Sequence, residues 1–415
     1  MSTMGQVVAN LDAWLGTMRQ AGGYGGPVPH WWESCFRYGG PGMDWRYEGL
    51  LAGYAVLYRR TGAAHWQRRL AQAAEDVLAA QRSDGSLAAS RFENNPGSLG
   101  TPHEAAAAAG LLAAHRVWPH PAWAAAAGRI LDNQIVHLWD PVTQGFNDRP
   151  HQVGRVPNKL ATLAEACLLY AAATGESRYL AYGAAALADV LRLQVTALGR
   201  PESGAVHQQA ARWGGDGRFF PFYNARIVPG LLLAAEMLGG DDYRTAAERI
   251  GDFLTRVQNP DGSYPQVVYA GGARAEGPRW VAGSADILRA QTLLGRTVPA
   301  AVQHRLLAGQ LPTGGFRTAE RFRGDGAVDF RDVTPAVGWN DKVLRWLADS
   351  GGMPSTPPPP TVRPATELVA VGGRPAIWRE TPEAITMVSG ADRALWYRWN
   401  KREPWASGVW EVLAG

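Results

Sequence analysis

Apolar residues along the first 350 positions recur at the three- and four-residue spacing of helices. Val7, Val8, Leu11, Trp14, Leu15 and Met18 fall on one face of a first helix over 5–20. The same spacing predicts helices over 44–60, 65–81, 102–117, 121–135, 158–173, 177–193, 223–238, 242–257, 281–294, 298–309 and 334–349, about twelve in all. They alternate in character. Helix 44–60 (Leu50, Leu51, Tyr54, Val56, Leu57) and helix 102–117, an alanine run followed by Leu111 and Leu112, are apolar nearly all round, which predicts burial on both faces. Helix 65–81 sets Arg68, Arg69, Gln72, Glu75 and Asp76 for solvent against Trp66, Leu70, Val77 and Leu78 for packing. Six buried and six amphipathic helices describe an inner ring inside an outer ring. The amphipathic first helix would pair with the buried last one and close the circle.

The chain also repeats itself. Tyr54 to Gly62 followed by Trp66, Tyr170 to Gly175 followed by Tyr179, and Ala235 to Gly240 followed by Tyr243 each read as an apolar helix ending at Gly, a short turn, and a second helix opened by an aromatic. The second helices run to a glutamine and a turn: Gln81-Arg-Ser-Asp-Gly-Ser86, Gln258-Asn-Pro-Asp-Gly-Ser263 and, more loosely, Gln310-Leu-Pro-Thr-Gly-Gly315. Gln134 and Gln194 occupy similar places. These turns read as hairpin locks rather than ligand-binding motifs.

Over residues 1–350 this arrangement resembles the α/α-toroid, the (α/α)6 barrel shared by six-hairpin glycosidases, several polysaccharide lyases and sugar epimerases, and class II terpene cyclases. The Gln-x-x-Asp-Gly-Ser turns are also similar to the glutamine-plus-aromatic motifs of triterpene cyclases. The resemblance is to the architecture; no family signature within it is met. It implies a mainly α fold, an (α/α)6 toroid with a small C-terminal β appendage, and a sugar as the first substrate class to consider. After the toroid, 351–365 is a Pro-rich linker or surface strap. Residues 366–415 alternate in short runs that predict a small β appendage, with Trp378, Trp396, Trp399, Trp405 and Trp410 available to pack it on the toroid.

Loop lengths give the helices a polarity. Inner-to-outer connections are short, whereas 21–43, 82–101, 136–157, 195–222, 259–280 and 311–333 are long and must share one end, around the inner-helix N-termini. Six converging N-termini favour anionic or hydrogen-bond-accepting ligands. Flat aromatics with interleaved carboxylates and amides gather in the same segments, as a sugar site requires. The candidate catalytic residues are Glu48, Glu104, Asp286, Asp341, His103 and Tyr223. The candidate substrate-binding residues are Trp31, Trp32, Asp44, Trp45, Arg46, Asn158, Lys159, Phe222, Asn224, Trp280, Trp339 and Asn340. A competing structural reading has Asp44, Asp286, Asp341 and His103-Glu104 capping their helices, and Trp31 and Trp32 roofing the core. His65, His115, His120, His137 and His304 read as structural.

Composition narrows the chemistry. With 46% apolar and 19% charged residues, the 415-residue chain can bury a large core. A net charge of +4 with no dense Lys/Arg run argues against nucleic acid. Two cysteines make no disulfide framework or zinc pattern, and neither a His-based metal motif nor a nucleotide-binding Gly-rich loop occurs, so no metal and no cofactor are expected. The first 20 residues lack the pattern of a signal peptide and no run is apolar enough to span a membrane, so the expectation is a cytoplasmic protein without membrane contact. The leading reading is a glycoside hydrolase-like enzyme on a small or oligomeric, acidic sugar, with general acid and base carboxylates at the long-loop mouth. Three alternatives stand beside it. A uronate-directed lyase or epimerase would use a Tyr or His base with Asn and Arg. A terpene cyclase-like enzyme lacks its Asp-x-Asp-Asp motif here. The third is a non-catalytic toroid binding a glycan or protein. Oligomeric state is left open.

Overall fold

The computed structural model describes residues 3–27, 38–39, 41–88, 103–148, 154–211, 214–275, 277–321, 332, 335–351, 354 and 356–362, together with five strands between 368 and 412. Twelve helices are present among these residues. Those of the inner ring are α2 (Trp45–Thr61), α4 (His103–Val117), α6 (Pro157–Thr174), α8 (Pro221–Met237), α10 (Ser284–Leu293) and α12 (Val337–Ser350). The outer ring is α1 (Met4–Thr17), α3 (Ala64–Ala80), α5 (Pro121–Leu138), α7 (Arg178–Arg192), α9 (Asp241–Val257) and α11 (Ala300–Ala308). Each inner helix packs on its two inner neighbours, and α12 packs on α2, so the ring closes. The chain therefore has the (α/α)6 toroid fold.

Local sequence explains the helix ends. Gly62 and Gly175 end α2 and α6 in the left-handed conformation, with φ of 65° and 78°. Pro157 and Pro221 open α6 and α8 at the first helical position, where no amide is missed. Helix α10 begins three residues later than its periodicity predicts, because Arg279-Trp280 pairs as a strand with Ala319-Glu320 and Val281 donates its amide to the Thr318 carbonyl at 2.9 Å.

The glutamine turns are hairpin locks. Gln81, Gln194 and Gln310 each bridge back across the turn, to Leu87, Val206 and Phe316. Their Nε2 atoms donate to a turn carbonyl and to a carbonyl of the next outer helix: Ala126 at 2.9 Å, Ala246 at 2.9 Å and Val7 at 2.8 Å respectively. One helical turn further along those helices, the carbonyls of Arg129, Arg249 and Asn10 lie against the turn glycines Gly85, Gly204 and Gly314, within about 2.2 Å of where a Cβ would sit. No side chain fits there, so the glycine sets how closely turn and helix approach. Gln134 differs from expectation: α5 continues to Leu138, leaving Gln134 inside the helix.

The long loops meet at one end. Arg218-Phe219 pairs with Val268-Tyr269, and Ala210 donates its amide to the Arg155 carbonyl, so the third to fifth long loops are stitched together; the pairing at Trp280 and Ala319 joins the fifth to the sixth. At the closing seam, buried Asp12 of α1 accepts from Tyr54 of α2 at 2.9 Å and pairs with Arg69 and His65 of α3. The Pro-rich segment is a strap along α1, where Gln6 donates to the Pro359 carbonyl and the Thr361 amide donates to Asn10. Beyond it, Leu368–Val371, Arg374–Glu380, Ala384–Ser389, Leu395–Asn400 and Glu411–Val412 form an antiparallel meander. The side chains expected to dock it on the toroid, including Trp405 and Trp410, lie outside the described residues. No helix among the described residues is long and apolar enough to cross a membrane.

Candidate active site

Three aromatic residues expected at the mouth come together there. Phe222 opens α8, Trp280 precedes α10, and Trp339 lies in the first turn of α12. The Trp280 and Trp339 rings stack at 5.0 Å and 26°, and Phe222 meets both edge-on at 5.9 and 5.8 Å. Gly283 admits the cluster: a Cβ there would lie 3.2 Å from the Trp339 ring. Tyr223, half-buried, packs on Phe222 at 4.5 Å. The Lys342 ammonium lies 5.9 Å from the centre of the Trp339 ring, at the margin of a cation–π contact.

Behind this shelf the carboxylates sit in a buried ionic lattice. Arg226 of α8 bridges Glu48 of α2 at 2.6 Å and Glu165 of α6 at 2.7 Å. Arg345 of α12 bridges Glu48 at 2.5 Å and Asp286 of α10 at 2.8 Å. Lys342 donates to Asp341 Oδ1 at 3.1 Å and to the Gly338 carbonyl at 2.9 Å. Asp341 is reached by α2 at Gly49, where a Cβ would come within 2.3 Å of the carboxylate, so glycine fixes this helix crossing. Four carboxyls (Glu48, Glu165, Asp286, Asp341) thus face three cations (Arg226, Lys342, Arg345), and one proton is needed for neutrality.

The electrostatics indicate which group holds it. Burial pushes the Glu48 carboxyl up, but Arg226 and Arg345 outweigh that and hold it at about 2. Burial also dominates at Asp341, and there Lys342 and Arg345 do not overcome it, so the group is pushed up to about 7. Asp341, which is fully buried, is the member of the lattice whose carboxyl burial brings nearest to neutrality.

Other expected residues are taken up by the scaffold. Asp44 caps α2 through the Arg46 amide and pairs with the Arg46 guanidinium at 2.7 Å. Arg46 also donates to the Tyr24 carbonyl. Glu104 accepts from the Leu87 amide at 3.1 Å and from Gln134 at 2.9 Å. Asn224 and Asn340 hold Val206 and Phe316 through both backbone groups, tying the residue after each glutamine lock to the following inner helix. Each of these four carboxyl or amide side chains bonds a backbone group. Lys159 pairs with Asp148 at 2.7 Å. Buried Asn158, at the start of α6, keeps its Oδ1 without a hydrogen-bond partner among the described residues. Trp45 lies buried in the first turn of α2. Trp31, Trp32 and the side chain of His103 lie outside the described residues.

The candidates read from the sequence did not include Glu165, Arg226, Lys342 or Arg345. The available signal was spacing: Asp341 and Arg345 are one helical turn apart on α12. Gln266 was missed too; it is buried with both ends of its amide unpartnered among the described residues. No group of three or more His, Cys, Asp or Glu that could hold a metal ion occurs among the described residues.

A closed double ring of helices, with an aromatic shelf at its long-loop end, gives the protein the (α/α)6 toroid fold. Solved structures of the same fold include a sugar epimerase from a ruminal bacterium, with TM-score 0.62 at 14% identity over 84% of this chain and 98% of that one. An unsaturated glucuronyl hydrolase from Bacillus sp. GL1 matches with TM-score 0.57 at 16% identity, over 83% and 94% of the two chains. A glycoside hydrolase family 76 mannosidase from Bacteroides thetaiotaomicron matches with TM-score 0.56 at 12% identity, over 83% and 97%. No family model matches the chain, and no curated protein does.

Proposed function

We propose that this protein is a carbohydrate-active enzyme that works at the long-loop mouth of the toroid, with Asp341 as its acid/base group. The observation that carries the reading is the aromatic shelf of Phe222, Trp280 and Trp339 at the mouth end of a buried ionic lattice, within which burial pushes the Asp341 carboxyl up to about 7. Aromatic faces stack on the C–H side of a sugar ring, and a carboxyl titrating near neutrality can both give and take a proton. The structural neighbours named above act on sugars, which supports the substrate class. In the hydrolase reading Asp341 protonates the leaving oxygen, and a second carboxyl activates water or attacks the sugar.

A second reading, sugar epimerisation or isomerisation, draws support from the state of the other carboxylates. Glu48 and Asp286 are both held by Arg345, and a carboxylate clamped by guanidinium is a weak base and a weak nucleophile. One exchangeable proton then suits chemistry at a carbon next to a carbonyl better than a two-carboxyl displacement. Incubation of the protein with unsaturated uronyl disaccharides, mannosides, mannose and cellobiose, followed by proton NMR in heavy water, tests both. Glycosidic cleavage supports the hydrolase; deuterium incorporation beside the reducing carbon with a changed sugar supports the epimerase. No change in any sugar under these conditions, with no sugar-dependent shift in melting temperature, contradicts the proposed function.

A further inference from the structure

The axis of the toroid is not filled. A cavity of about 740 Å³ runs up the bore from the short-loop end and stops at Glu48, Glu165 and Arg345. From Arg59 at its rim to Glu48 at its floor, α2 rises about 16 Å. The ionic lattice therefore works as a stopper, with the aromatic shelf at the mouth end and an open bore on the other side. Its lining mixes charged groups with apolar side chains, Ala52, Ala109, Leu169 and Leu232 among the latter.

The charges in this bore are not those a filled core would keep. Arg59, Arg116 and Arg244 line the rim and are exposed, and none makes an ion pair among the described residues. Against them the rim offers a single exposed carboxylate without an ion pair, Glu236. Deeper in, Arg289 has one carboxylate partner, Asp349 at 3.2 Å, and burial pulls its guanidinium down from the usual arginine value. Its side chain keeps 17% of its surface, so part of the group is open to the bore.

The bland account is that these arginines offset the negative C-terminal ends of the inner helices. It suits Arg59 and Arg116, which lie in the last turns of α2 and α4. It fails for Arg244, which stands in the first turn of α9, where a helix dipole disfavours a cation. It fails also for Arg289, in the middle of α10. Helix C-termini oppose an anion here, but their effect weakens beyond the last turn, whereas a guanidinium offers a charge-assisted hydrogen bond directly to the acid group.

We propose that the bore is a second binding site, reached from the short-loop end, for a small organic anion with an apolar body, the acid group held at the rim by Arg116 and Arg244 and the body lying against the alanine and leucine side chains of the bore. The bore shares Glu48, Glu165 and Arg345 with the ionic lattice but opens at the end opposite the mouth. Carboxylates and phosphates share the required recognition, a forked guanidinium meeting paired oxygens.

Calorimetric titration of the full-length protein with benzoate, phenyl phosphate and uncharged benzyl alcohol tests the assignment. At least one anion is expected to bind and the alcohol is not; the tighter anion identifies the acid group the site prefers. The Arg116→Gln/Arg244→Gln double variant changes only exposed side chains, so it folds, and binding is expected to weaken about tenfold or more. Lys159→Gln, which removes a cation from the mouth instead, is expected to leave the affinity unchanged. Binding of neither anion overturns the proposal. So does equal affinity in the double variant, or a loss of affinity in Lys159→Gln alone.

Discussion

At the scale of single residues, Asp341 and Glu48 share one lattice and respond to pH in opposite directions. Asp341 has a folded value of about 7 against 3.8 for the free group, so between those values the native state holds a proton that the unfolded chain has lost. Its contribution to stability therefore falls as pH rises from about 4 to about 7 and is flat above. Asp341→Asn keeps an acceptor for Lys342 and removes the buried ionisation. The variant is expected to melt above the wild type at pH 8, by no more than about 4 kcal/mol, with the gap closing towards pH 4. Thermal melts at the two pH values check it, and a variant less stable at pH 8 would place Asp341 among the structural ions. Glu48 has the reverse sign: held at about 2 against 4.5, it stabilises above pH 4.5 and loses that effect as pH falls towards 2. Glu48→Gln strips both Arg226 and Arg345 of a buried partner and is expected to lower stability by about 3–5 kcal/mol at pH 7. Urea denaturation measures this, and a loss under about 1 kcal/mol would show that water or another carboxylate replaces Glu48.

At the scale of elements, what holds hairpin to hairpin is the glutamine lock and its glycine. Gly314 has φ of 100°, and a Cβ there would fall 2.1 Å from the Asn10 carbonyl of α1. Gly62 also has positive φ, at 65°, but nothing lies within 4 Å of its Cβ position. The two positions separate backbone strain from close packing. Gly62→Ala is expected to destabilise by about 1 kcal/mol from strain alone. Gly314→Ala adds displacement of α1 and is expected to cost at least about 2 kcal/mol more. Equal losses would mean that the lock at the closing seam yields without resistance. The twelve-helix alternation was legible in the sequence because these local devices repeat: glycine after an inner helix, glutamine and a turn after an outer one. Boundaries failed where tertiary pairing overrode periodicity, as at Val281, whose amide is taken by Thr318.

At the scale of the whole molecule, the ring brings together residues that no local pattern connects. Arg345 and Glu48 are 297 positions apart, and Arg226 and Glu48 are 178 apart; their pairing exists only because ring closure sets α12 beside α2 and brings α8 within reach of both. Residue types at the mouth were therefore readable in the sequence, as Phe222, Trp280 and Trp339 show. Partnerships were not. Asp44, Glu104, Asn224 and Asn340 carried the composition of a sugar site, yet their atoms serve helix caps and backbone amides, a distinction that depends on which neighbours fall within hydrogen-bond reach. The ion pairs of Glu48 and Asp286 were hidden for the same reason, since Arg226 and Arg345 lie on other helices of the ring. What the ring leaves is a cluster of four carboxyls, three of them buried, with aromatic stacking on one side and an arginine-rimmed bore on the other.

The central claim is that Asp341 exchanges the proton in a reaction on a sugar bound at the mouth. Turnover by the wild-type and Asp341→Asn proteins, compared on the one sugar the wild type transforms, tests it most directly. The Asn variant is expected to stay folded and bind that sugar, with kcat reduced at least about 100-fold. Turnover within about threefold of wild type would contradict the claim and place the acid/base group elsewhere.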